Sequence, residues 1–140
     1  MIRRLAYLVA IGLILSGSNT LAADSNKELL ALSAAEQWLT MVDSGKYDDS
    51  WKETSDLFRN AVQLDQWVQS MQAIRKPLGK RISRMMKTTV YQSTLPGAPD
   101  GDYVVIQFDT SFENKKAAVE TITPMLETDG AWRVSGYYIK

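Results

Sequence analysis

Polar and apolar residues change their spacing once along this chain, at about residue 80. Before that point apolar positions recur every three or four residues, the period of a helix buried on one side. Residues 24–45 predict the first helix. Leu32, Ala35, Trp38, Leu39, Met41 and Val42 form its stripe. Ser25-Asn26-Lys27-Glu28 has the capping-box pattern, Ser33-Ala34-Ala35-Glu36 offers a second start, and Gly45 stands where a helix stops. Residues 47–60 predict a second helix, capped by Asp48 or Asp49. Residues 63–76 predict a third, with Leu64, Trp67, Val68, Met71 and Ile74 on one face. Pro77 forces the exit, because the residue before a proline avoids the helical region.

After Lys80 the period is two. Residues 81–95 predict a long strand, and Pro96-Gly97-Ala98-Pro99-Asp100-Gly101 a turn. In the next strand, 102–112, Val104, Ile106, Phe108 and Phe112 point one way. Tyr103, Val105, Gln107 and Asp109 point the other. The third strand covers 117–127, and Pro124 there marks an edge or a bulge. Asp129-Gly130 gives a hairpin signal. The last strand, 131–140, is the most regular apolar and aromatic stretch, with Trp132, Val134, Gly136 and Tyr138 assigned to one face. Helices followed by strands predict an α+β domain: N-terminal helices packed on a curved four-stranded antiparallel sheet.

The first 23 residues stand apart. Met1-Ile2-Arg3-Arg4 is basic, about 11 apolar residues follow, and 16–23 are small and polar. This is the pattern of a cleaved secretory signal, too short for the roughly 20 residues a membrane-crossing helix needs. Thr20-Leu21-Ala22 or Leu21-Ala22-Ala23 supplies the cleavage site. Removing 23 of 140 residues leaves 117, organised as a single domain over 24–140. Removal also takes away Arg3 and Arg4, leaving 14 basic and 16 acidic side chains and a net charge of −2. Such a surface is a poor partner for nucleic acid. Nothing in it suggests a stable membrane anchor once the signal is gone. The chain has no Cys, so burial alone must stabilise an exported domain. It has no His, the commonest general base near neutral pH and the commonest transition-metal ligand. No metal and no cofactor is expected.

Several segments together carry a resemblance. They are Ala35-Glu36-Gln37-Trp38-Leu39, Val42-Asp43-Ser44-Gly45-Lys46-Tyr47, Ser50-Trp51, Trp67 and Arg75-Lys76-Pro77-Leu78-Gly79. Arg84, Val119-Glu120-Thr121 and the run from Asp129 to Tyr138 complete the set. In this order and spacing the chain resembles the DUF4019 family of exported bacterial proteins, a domain of unknown function. The resemblance covers nearly all of the mature chain. It implies export and architecture, and brings no catalytic residues with it. The layout is also similar to the cone-shaped NTF2-like and cystatin-like folds, which host enzymes, ligand binders and adaptors alike.

The candidate chemistry lies in charged and aromatic residues set among apolar ones. Arg75 flanks the stripe of the third helix, Arg84 opens the first strand, and Glu120 lies between Val119 and Thr121. They form either an ion-pair network fastening the third helix to the sheet, or a pocket whose guanidinium forks hold a carboxylate or phosphate. Trp132 and Tyr138 either fill the core or line a cavity between the helices and a concave sheet, completing the ligand-binding candidates. Asp109 is a solvated charge on the outer face. The favoured expectation is a non-catalytic binding or protein-interaction module, periplasmic or secreted, monomeric or homodimeric. Its partner is a protein or a small molecule. The alternative is a cone-fold lyase or isomerase using a buried carboxylate and a tyrosine, which requires an inward acid other than an Arg-paired one.

Overall fold

The computed structural model describes residues 18–140. Most of the segment read as a leader, 1–17, lies outside the described residues. Helix α1 spans Ser18–Asp43. It is already helical at Ser25 and at Ser33, so both capping-box patterns lie inside it and neither starts it. The residues from Ala22 to Glu36 include no glycine or proline to interrupt it. Its end is as read. Lys46 N–H reaches the Met41 carbonyl at 2.9 Å and Gly45 N–H the Val42 carbonyl at 3.1 Å, with Gly45 at φ 73°. That is a Schellman stop, which needs a left-handed residue.

The second predicted helix is two short ones, α2 (Tyr47–Lys52) and α3 (Asp56–Ala61). Tertiary structure makes the break. Thr54 pairs with Val134 in an isolated bridge, and Ser55 N–H donates to the Val134 carbonyl at 2.9 Å. The extended Ser55 then caps α3, its hydroxyl accepting from Phe58 N–H at 3.2 Å. Asp48 and Asp49 make no cap. They sit in the first turn of α2, where negative charge suits the helix dipole.

Helix α4 (Leu64–Ile74) starts from a Gln63/Gln66 capping box. Its buried line is Trp67, Met71 and Arg75, each four residues after the last, while Ile74 is 54% exposed. The stripe expected to end on Ile74 ends on an arginine instead. A single 3-10 turn, Lys76–Leu78, leads to Gly79 at φ 77°, ψ −159°, a region essentially reserved for glycine. A Cβ there would lie 3.0 Å from the Cβ of Glu113. Gly79→Ala is therefore expected to cost about 1–3 kcal/mol, read as a lower midpoint in urea with unchanged m-value.

Four strands follow: β1 (Arg81–Gln92), β2 (Tyr103–Phe112), β3 (Lys115–Leu126) and β4 (Trp132–Ile139). They form an antiparallel meander in the order β1-β2-β3-β4, with α1 packed across all four on one face. Beneath it Val104, Ile106, Phe108, Ile122 and Val134 meet Ala31, Ala35, Trp38, Leu39 and Val42. β1 ends at Gln92, three residues short of the expectation.

The face assignment of β4 is corrected. Thr123 pairs with Gly136 but Pro124 pairs with Val134, so Ser135 is an extra residue. Pro124 has no N–H to offer the ladder, and the Ser135 hydroxyl donates to the Thr123 carbonyl at 2.7 Å. One extra residue reverses every side chain beyond it. Tyr137 joins Val134 on the inner face, and Tyr138 turns outward at 59% exposed. Pro124 thus marks a bulge inside the sheet, not an edge.

Candidate functional site

Two charged positions singled out by sequence, Arg84 and Glu120, touch directly, and a residue the sequence reading passed over joins Arg75 to them. Glu120 is fully buried on the inner face of β3. Its carboxylate accepts from Arg84 Nε at 2.7 Å, from the Thr110 hydroxyl at 2.6 Å and from the Tyr137 hydroxyl. Four strands therefore converge on one carboxylate. The far side of the Arg84 guanidinium faces Asp43, donating from Nη1 at 2.7 Å and Nη2 at 2.9 Å. Asp43 is the last residue of α1 and also accepts from Arg75 Nη2 at 3.2 Å, with Arg81 Nε at 3.2 Å. Arg75 in turn donates from Nη1 to the Gly79 carbonyl at 2.7 Å, and its guanidinium lies over the Phe112 ring at 4.4 Å.

The arrangement fastens both helices to the sheet. Asp43 brings the end of α1, Arg75 the end of α4, and Arg84 and Glu120 the strands. Trp132 and Tyr138 stand apart from it. Trp132 is half-buried beside Ala34, Trp38 and Met41, and Tyr138 faces away. Of the β4 aromatics, Tyr137 is the one that joins the cluster. Asp43 carried one sequence signal. A carboxylate in the last turn of a helix opposes the dipole and calls for a cation.

Electrostatics follow from the contacts. Burial pushes the Asp43 carboxyl up, but the hydrogen bonds from Arg84 and Arg75 outweigh it and hold it below its ordinary value of 3.8. Burial also opposes the charge on Arg84, yet Asp43 and Glu120 together raise its pKa. Burial, then the adjacent Glu120 carboxylate, pushes the Tyr137 phenol well above 10.0. A depressed carboxyl stabilises the fold above its unfolded pKa and loses that contribution as pH falls through its folded one. The difference in melting temperature between the natural protein and Asp43→Asn is therefore expected to be large at about pH 6 and to shrink below about pH 3.8. A difference that grows in acid contradicts this.

The cluster holds little room for a ligand. Arg75 and Arg84 are each at most 10% exposed at the side chain, and Glu120 is at 0%. A cleft of about 460 Å³ opens beside Asp43 and Arg75, lined by Ser44, Gln72, Lys76 and Lys80. The carboxyl ends of α1 and α4 both meet there, so their carbonyl dipoles take up part of its positive charge. Asp109 is exposed, with Lys87 at 3.9 Å, as the alternation required.

Comparison with proteins of curated function finds no match. A family model does match, over residues 34–137, and the matched span contains Asp43, Arg75, Arg84, Glu120 and Tyr137. The chain belongs to the family described as protein of unknown function (DUF4019).

Proposed function

We propose that this is an exported, non-catalytic module that works by contacts with another protein at its surface. The observation that carries the reading is how the inner face is filled. The space between helices and sheet, where a cone fold would hold a small molecule, is occupied by Trp38, Trp67, Phe108 and Tyr137. Trp38 lies 5.8 Å from Trp67 and 5.2 Å from Tyr137, ring centre to ring centre. Both indole N–H groups are satisfied at Ser50, one by its carbonyl and one by its hydroxyl. The lyase or isomerase alternative asks for a buried carboxylate beside a tyrosine. Glu120 and Tyr137 are such a pair, but each is bonded to the other, and Arg84 and Thr110 complete the carboxylate's partners. Three donors take most of the carboxylate's roughly four acceptor sites, and complete burial closes what remains to a substrate proton.

The test is native mass spectrometry of the full chain as processed in the cell, purified gently from the compartment that receives it. The expected species is the protein alone or in a stoichiometric complex with a second protein. A reproducible small-molecule adduct, lost on unfolding, would overturn the reading.

A further inference from the structure

The two edges of the sheet are finished differently. At the β4 edge Thr54 bridges to Val134, Ser55 takes the Val134 carbonyl, and the Ser135 bulge breaks the line. These are common ways to stop a sheet from growing. β1 is left open. Among the described residues none of its backbone groups has a hydrogen-bond partner outside its ladder with β2. It is one of the two longest strands, at 12 residues. It also carries the densest set of exposed apolar side chains: Ile82 at 64%, Met85 at 72%, Met86 at 51% and Val90 at 45%. Methionines at an exposed site are adaptable contacts.

Charge selects the partner. β1 contains Arg81, Arg84 and Lys87 and no acid, in a chain whose formal net charge is zero. Arg84 is consumed inside; Arg81, beside Asp43, and Lys87, 3.9 Å from Asp109, are still 42% and 48% exposed and open to a further acid. A hollow of about 370 Å³ on the bare face of the sheet continues the basic surface, with Met85, Lys116 and Lys140 in its lining. Asp109 is the acid there. A second copy of β1 would set these cations against their equivalents, which disfavours self-pairing.

We propose that β1 is a strand-addition edge that receives an extended, acidic segment of a partner protein. Register shifts next to Ile82 and Lys87 leave residues 88–92 as its longest regular stretch. The incoming backbone pairs there. Its apolar side chains cover Met85 and Val90, which share the outer face, and its acids meet Lys87 at the register shift between the two regular stretches. Main-chain pairing supplies affinity and the alternating side chains supply selectivity.

This inference rests on the surface-contact reading. The test uses the processed chain and two synthetic peptides of about nine residues. One alternates valine with glutamate, the other valine with lysine. Amide hydrogen exchange is followed residue by residue by NMR. The glutamate peptide is expected to slow exchange at β1 amides, to leave β4 unchanged, and to bind about 10-fold more weakly to Lys87→Glu and to Met85→Glu. Both variants should melt with the natural protein, since both side chains are exposed. Equal binding of the lysine peptide, protection absent from β1 at saturation, or dimerisation through β1 in ultracentrifugation would each overturn the proposal. A native protein complex that survives both substitutions overturns the edge and leaves the surface-contact reading standing. A retained small molecule removes that reading instead.

Discussion

Glu120→Gln is expected to lower stability by about 3 kcal/mol, a fall in melting temperature of about 10 °C for a domain of this size. The change keeps shape and removes charge. Glu120 is buried completely and accepts from Arg84, Thr110 and Tyr137. An uncharged amide is a weaker acceptor, and its NH₂ has to face at least one of three donors. Arg84 would keep Asp43, at 2.7 and 2.9 Å. The cost therefore belongs at the low end for breaking a buried pair. A cycle with Arg84→Met separates the terms. Once Arg84 is gone, replacing Glu120 should cost less, because the Arg84–Glu120 bond that the single change weakens is already absent. The opposite result is equally informative. A Glu120→Gln protein that melts normally would mean that the cluster does not fasten the helices to the sheet. The anion-pocket reading of Arg75 and Arg84 would then return.

The parts of this fold set by local pattern were legible from the chain alone. The stripe of α1, the stop at Gly45, the Asp129-Gly130 hairpin and the alternation of β2 each depend on a few neighbouring residues. What escaped depends on distant ones. The helix predicted over 47–60 breaks at Thr54 and Ser55 because β4, some 80 residues later, offers Val134 as a partner. Strict alternation along 131–140 places Tyr138 inward. A bulge opposite Pro124 puts Tyr137 there instead. Arg75, Arg84 and Glu120 were visible because charges within apolar runs need partners. Asp43 lies in a polar helix end where nothing local names its partners, yet it holds Arg75 and Arg84 on one carboxylate. The open edge of β1 was not legible at all. Its exposure depends on strand order, and the alternation of 81–95 reads the same for an inner strand.

Trp38→Ala is expected to cost about 3–5 kcal/mol, a large share of the 5–15 kcal/mol typical of a small domain. Three losses combine. The indole is 2% exposed, so the change removes apolar contact and leaves a cavity. The Ser50 carbonyl loses its donor at 2.8 Å. Trp67 and Tyr137 each lose a ring neighbour, and Tyr137 is the residue that reaches Glu120. The damage should thus spread into the ion-pair cluster, and the Trp38→Ala and Glu120→Gln costs should not add. Trp38→Phe should recover much of the loss, since it restores ring contact without the Ser50 hydrogen bond. The cavity also tests whether the interior is filled or hollow. A dry, enclosed void left by a large side chain takes up small aromatic molecules. Indole should therefore raise the melting temperature of Trp38→Ala in proportion to the logarithm of its concentration, and leave the natural protein unmoved. Stabilisation of the natural protein by indole would show room beside Trp38 already. The small-molecule reading would then displace the surface-contact one.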